Sequence, residues 1–256
     1  MLGLTSFEYR ELVTNLVKKE FKLRYRNSVL GFLWSLFNPL GMMTILTIVF
    51  SVFLKSDIRN FPVFILVALL PWRFFSISTS NALWSIVGNA PLVTKVYFPR
   101  QILVLSSNLA NFLGSCMEFV VLLPLMLLLG MKMTYFIVFL PVILLLELIL
   151  VFGISLSLAA LNVYYRDINQ LWDLTLQIGF FVTPILYGIS LIPDKYLVAY
   201  SLNPLARVIE SVRRILFYGV MPTIWDFLIL FVSGIFFTVL GYLIFRRLEP
   251  RFAEEI

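Results

Sequence analysis

Along the chain, apolar residues collect into six runs bounded by charge, Pro, Gly or Asn clusters, at approximately 29–54, 61–87, 102–130, 136–163, 171–191 and 225–245. Each is about as long as a helix that crosses a bilayer, which takes ~20 apolar residues. Helix is the expected form, because lipid offers no partner to backbone N–H and C=O groups and they must be paired within the segment. Arg73 interrupts the second run, Glu118 the third and Glu147 the fourth. "KSDIRN" (55–60) and "GMKMTY" (130–135) read as tight hairpins, whereas 88–101, 164–170 and 192–224 have the composition of connections with local structure of their own.

Ahead of the first run, Val13, Leu16, Val17 and Phe21 recur at helical spacing, Arg10, Asn15, Lys18, Lys19 and Lys22 take much of the remaining surface, and Ser6 can cap the start. A basic amphipathic helix of this kind lies in the membrane interface, its charges on anionic headgroups and its apolar face on acyl chains. It acts either as a topology anchor or as a frame for a partner's docking site. In segment 192–224, Asn203-Pro204 reads as a cap followed by a first-turn proline, and Gly219 reads as a stop. Between them Leu205, Val208, Ile209, Val212, Ile215 and Leu216 form one stripe, with Arg207, Glu210, Arg213 and Arg214 largely opposite. An interfacial or re-entrant helix is expected there.

Composition agrees with an integral membrane protein: 61% of the 256 residues are hydrophobic and 13% charged, against about 45–50% and about 25% in soluble domains. No secretory h-region or cleavage site precedes residue 28, so the N-terminus is expected to be retained. With the N-terminus inside, twelve Lys and Arg fall on the inner side and seven on the outer, which favours both termini in the cytoplasm. Histidine is absent, Cys116 is the single cysteine, the five Asp and nine Glu form no D-x-D or D-x-x-D cluster, and no G-x-x-x-x-G-K-[ST] occurs. Metal sites, acid–base or nucleophilic catalysis and a Walker phosphate loop therefore have no visible carrier, and an enzyme is not expected.

The apolar content of two inner connections is unusual. Leu92, Val93, Val96, Tyr97 and Phe98 crowd "NAPLVTKVYFPR", and "NVYYRDI" repeats the pattern in a connection too short for a domain. These segments either pack under the bundle or dock on a soluble partner. Inside the runs, Glu118 and Glu147 are equidistant from the hairpin centred between Lys132 and Met133, and Arg73 reaches a similar depth. Arg73 is expected to pair with one of the two, the other glutamate being protonated, facing a polar cavity or bonded elsewhere, unless tilt at Pro71 separates them. Alternatively the three would form the relay of an ion-coupled secondary transporter.

"RYRNSVLGFLWSLFNPL" (24–40), "LLPWRFFS" (69–76), "LVTKVYFPRQ" (92–101), "NVYYRDI" (162–168), "FVTPILY" (181–187) and "NPLARVIESVRRILFYG" (203–219) occur in an order and spacing that resembles the permeases of polysaccharide-export ABC transporters. The resemblance covers nearly the whole chain and is greatest to members that export lipid-linked O-antigen, with teichoic acid and capsular polysaccharide exporters close by. It implies an all-α, single-domain, six-span half-transporter: interface helix 1–28, spans one to five over 29–191, an outer gate segment 192–224, and span six with a cytoplasmic tail over 225–256. It implies a homodimer in the inner membrane that carries undecaprenyl-linked polysaccharide, contacts membrane lipids and no nucleic acid, and works with two copies of a separate ATPase subunit holding ATP and Mg²⁺. By the same resemblance, Leu92, Tyr97, Phe98, Arg100, Arg166 and Asp167 would contact the ATPase. Phe32, Trp34, Phe37, Phe180, Phe181 and Tyr187 would line the sugar path, where aromatic faces suit a sliding chain, with lipid contact or packing as the alternative for each. Arg207, Arg213 and Arg214 would stand at the outer gate or in a simple interfacial anchor.

Overall fold

The computed structural model describes residues 6–25, 33–53, 58 and 60–256, and among these there is no strand. The helices are α1 (Ser6–Tyr25), α2 (Leu33–Thr47, continued by a π-helical stretch Ile48–Phe53), α3 (Phe61–Ser85), α4 (Ala90–Lys95), α5 (Gln101–Leu128), α6 (Leu140–Tyr164), α7 (Ile168–Val182), α8 (Asp194–Leu202), α9 (Pro204–Arg213, continued by a π-helical stretch Arg214–Tyr218), α10 (Ile224–Leu248) and α11 (Phe252–Glu255). Four helical stretches among the described residues are long and apolar enough to cross a membrane: Phe61–Ser85, Gln101–Leu128, Tyr135–Tyr164 and Ile224–Glu255.

The central post is α3, buried along most of its length and packed against α2, α5, α6, α7 and α9. One end of the bundle gathers α1, the α3–α5 connection, the end of α6 and the C-terminus around a core that includes Leu16, Val93, Phe98, Val163, Phe245 and Phe252. At the far end, Val63, Met126, Leu140, Val208, Val212 and Leu230 join the opposite tips of α3, α5, α6 and α10 to α9. The apolar stripe of α1 is used inward, with Leu16 buried and Leu12 and Val13 packed beside it, while Arg10, Lys18, Lys19 and Lys22 stay exposed.

Small residues let α6 and α10 meet backbone to backbone, as helices in lipid commonly do. A Cβ placed on Gly241 would collide with the Gly153 carbonyl, and one on Gly153 with the backbone of Phe237 and Thr238. Gly241→Val is therefore expected to part the two helices at a cost of about 1–3 kcal/mol or more. Thermal unfolding in detergent would show this as a lowered midpoint, and an unchanged midpoint would mean that the pair slides without loss.

The fifth apolar run departs from its expected length, since α7 ends at Val182 and the chain continues through irregular structure at 183–188. Fifteen residues of helix rise only ~22 Å, and the carbonyls beyond them need other partners. Arg213 supplies them. Its guanidinium donates to the carbonyls of Pro184 and Ile185 through separate nitrogens and to that of Tyr187 at 3.1 Å, with its carbon 3.7 Å from the centroid of the Phe64 ring. The helix that carries Arg213 starts as its sequence predicts, with the Asn203 side chain accepting from Leu205 and Ala206 N–H and Pro204 in the first turn. After the π-helical stretch, Gly219 turns the chain at φ 66°, a conformation that glycine adopts without steric cost. This helix does not lie with one face in solvent: Val208, Ile209, Glu210, Ser211, Val212 and Arg213 are all buried among α3, α6 and α10.

Candidate functional site

Two connections meet at the terminus-bearing end. In the first, α4 turns Val93 and Phe98 into the core with Leu92 packed against it, leaving Val96 half-exposed and Tyr97 93% exposed. Leu92 and Phe98 therefore serve the fold itself, because alternate positions of this short helix and its exit face opposite ways. Arg100 is also held within the chain: its Nη1 donates to the Glu249 carbonyl at 2.7 Å, and its backbone N–H donates to Glu249 Oε1 at 3.1 Å. In the second connection, Tyr165, Arg166 and Asp167 are exposed at the α6–α7 turn. Its neighbour Tyr164 donates to the Leu248 carbonyl at 2.8 Å and packs on Phe252. The segment after α10 thus holds both connections in one unit, leaving Tyr97, Tyr165, Arg166 and Asp167 outward.

The aromatic residues expected along a path divide by environment. Phe32 and the side chain of Trp34 lie outside the described residues. Phe37 on α2 is 54% exposed, and Phe181 on α7 is 67% exposed at the end of an outward stripe formed with Leu171, Leu174 and Ile178. Phe180 is partly buried and meets the Trp72 ring edge-to-face at 5.9 Å. The Tyr187 hydroxyl lies 3.2 and 3.0 Å from the Phe181 and Val182 carbonyls and 3.0 Å from the Tyr200 hydroxyl. It closes the carbonyl end of α7, where helical partners run out.

At the far end, Arg207 pairs with the buried Asp226 at 2.8 Å and donates from Nε to the Ser201 carbonyl. Arg214 Nε lies 3.8 Å from Glu210 Oε1. Arg213, expected on the polar face with them, is instead fully buried. Three carbonyls on its two terminal nitrogens and an aromatic face replace much of its water, while its Nε has no partner among the described residues. Burial pulls its pKa down to about 10, with Glu210 acting in the opposite direction, so the charge persists at neutral pH.

Arg73 lies midway along α3. Its Nη2 is 3.4 Å from Glu118 Oε1 on α5, and its Nη1 donates to Asn38 Oδ1 on α2 at 2.7 Å. Glu147 is fully buried on α6, with no hydrogen-bond partner for either oxygen among the described residues. A set of polar residues on facing sides of two helices accompanies the pair: Arg73, Asn81 and Ser85 on α3, eight and four positions apart, face Ser107, Asn111, Ser115 and Glu118 on α5, spaced by four, four and three. Asn81 Nδ2 donates to Asn111 Oδ1 at 3.2 Å. The helical spacing of the α5 set lies open in the primary structure, hidden only by the hydrophobicity of the run around it. Asn38 and Glu249 have no comparable signal, since each acquires its role from a partner distant in sequence, whereas Asp226 closes a capping box with Thr223 at the start of α10, a local pattern.

The described residues offer an outward aromatic end, exposed apolar helix faces and a polar seam, which suits a membrane subunit. The pattern of the ABC-2 type transporter family matches residues 11–217, and the chain belongs to that family. Among its relatives are an O-antigen export system permease protein of Klebsiella pneumoniae, 33% identical over 246 residues that cover 95% of this chain and 94% of the relative, and one of Myxococcus xanthus, 36% identical over 98% of this chain and 97% of the relative. A polysialic acid transport protein of Escherichia coli is 25% identical over 86% of each chain. Membership in an ABC family sets aside the ion-coupled transporter.

Proposed function

We propose that this chain is the channel-forming membrane subunit of an ATP-driven exporter of lipid-linked polysaccharide of the O-antigen kind. It works as a homodimer in the inner membrane with two copies of a separate ATPase subunit, crosses six times and keeps both termini in the cytoplasm. In this arrangement α2 and α7 complete the six crossings, α1 lies along the cytoplasmic surface, and the terminus-bearing end faces the ATPase. The observation that carries the proposal is the outward set at that end, Tyr97 with Tyr165, Arg166 and Asp167, where exposed aromatic rings beside charges make poor solvated loops and good interface anchors. The two O-antigen permease relatives support the substrate class. A capsular polysaccharide is the second reading, favoured by the polysialic acid transport relative.

Phe37 and Phe181, with Phe32 and Trp34 by sequence, are the path candidates that remain once Phe180 and Tyr187 are engaged in packing and capping. Arg207 and Arg214 are those for an outer gate, as Arg213 is enclosed.

The test is co-purification with an ATPase encoded beside the gene, with ATP hydrolysis measured in the presence and absence of the permease. Tyr97→Ser combined with Tyr165→Ser is expected to release the ATPase, since a buried tyrosine anchor carries about 2 kcal/mol, and to leave the permease dimer in the membrane. Intact co-purification and full export by that variant would remove the docking assignment.

A further inference from the structure

A cavity of about 470 Å³ opens between α1, the end of α3 and the start of α5, within the ~300–1,000 Å³ span of small-molecule sites. Its wall includes Lys19 and Glu20 of α1, Asn81 and Trp84 of α3, Asn89, and Ser107 of α5. Trp84 is 48% exposed, and Lys19 Nζ donates to Asn89 Oδ1 at 2.9 Å. The polar seam continues from this cavity along α3 and α5 to a second hollow beside Arg73, Asn111, Ser115 and Glu118.

Polar side chains set in otherwise apolar helices demand water or a polar ligand against them, because lipid tails satisfy neither donors nor acceptors. The wall chemistry selects among polar ligands. Among the described residues of the wall Lys19 is the single cation and Glu20 offsets it, which disfavours a phosphate or pyrophosphate. Amides and a hydroxyl that both donate and accept, with a carboxylate that accepts, match vicinal sugar hydroxyls. An indole face matches the C–H face of a sugar ring, giving broad contact without a fixed hydrogen-bond pattern.

We propose that this cavity binds sugar residues of the exported glycan, with Trp84 as the stacking platform and Asn81, Ser107, Lys19 and Glu20 as the hydroxyl partners. The assignment rests on the exporter function proposed above. It places an early contact of the chain between α3 and α5, on helices other than the α2 and α7 that carry the aromatic path candidates, beside the connection that carries Tyr97.

The test uses the full permease and ATPase complex in cells. Trp84→Ala is expected to lower surface glycan about tenfold, the equivalent of one modest aromatic contact, with Trp84→Phe restoring much of it and ATPase co-purification unchanged in both. In a Cys116→Ala background, Asn81→Cys is treated with a water-soluble maleimide in inside-out vesicles. The vesicles come from cells that make the lipid-linked glycan but carry a hydrolysis-deficient ATPase, and from cells lacking the transferase that begins the glycan. Labelling is expected in the glycan-free vesicles and several-fold slower labelling in the loaded ones. Equal labelling in both would show a cavity holding water only, and no labelling in either would show a closed one; each overturns the proposal, as does wild-type export by Trp84→Ala. Deletion of the permease gene separates the two levels. If glycan still reaches the surface, the exporter function fails; if deletion abolishes export while Trp84→Ala and the labelling show no effect, the cavity assignment alone falls.

Discussion

Arg213→Leu is expected to lower the stability of the folded permease by about 3 kcal/mol or more. The arginine holds the carbonyls of Pro184, Ile185 and Tyr187 where α7 has stopped, and a buried acceptor left without a donor costs about 1–3 kcal/mol. Leucine fills similar space with no donor. Against a total of about 5–15 kcal/mol for a typical domain, this is a large share. Arg213→Lys should recover only part, since an ammonium on a flexible stem cannot reproduce a rigid fork reaching several acceptors. Thermal unfolding of the purified protein in detergent, read by loss of the monodisperse species, gives the order wild type, Lys, Leu. A Leu variant that unfolds with the wild type would show that these carbonyls are satisfied elsewhere, and Arg213 would return to the candidates for a substrate contact.

The second large effect concerns Arg73, whose side chain is 17% exposed and that of its partner Glu118 8%. Removing one member of such a pair leaves an uncompensated charge and costs about 3–5 kcal/mol, whereas replacing both with apolar residues of similar size is often close to neutral. Arg73→Leu alone is expected to lower membrane accumulation and thermal stability sharply. Arg73→Leu with Glu118→Leu should regain most of the loss. The regain will be incomplete, because Asn38 also accepts from Arg73 at 2.7 Å. If the double variant's loss equals the sum of the two single losses, the two side chains act independently and the pair is not a clamp between α3 and α5. Export by a well-folded double variant would show that the pair serves assembly, while failure of export in that background would place the charge in the transport step.

Much of this was legible from the chain as written, for reasons tied to particular residues. The hairpin arithmetic brought Arg73 and the glutamates to one level because helical rise is constant along an uninterrupted run. It could not choose between Glu118 and Glu147, which depends on which helix packs on the Arg73 face of α3. Asn203, Pro204 and Gly219 signalled the limits of a helical segment because capping is local chemistry. The stripe opposite Arg207, Glu210, Arg213 and Arg214 suggested a half-exposed helix, yet α9 is enclosed by α3, α6 and α10, so its polar face meets protein and not solvent. In the same way Leu92, Tyr97 and Phe98 read alike as apolar loop residues, and only the turn after α4 separates the exposed Tyr97 from the buried Phe98.

By itself the amino-acid sequence determined that the chain is helical and membrane-embedded, where its apolar runs begin and end, which segments carry charge and which family motifs it holds. Those properties follow from composition, period and local capping, which act over a few residues. Tertiary structure decided that the carbonyls of Pro184, Ile185 and Tyr187, past the end of α7, are taken up by a buried arginine from another helix, and that Glu249 and Tyr164 tie the two exposed connections to the C-terminal segment. It also decided that the polar residues on one face of α3 and one face of α5 meet in one seam. Each of these depends on groups brought together across 26 to 149 positions of chain, and such pairings are set by how helices pack, which no local pattern records.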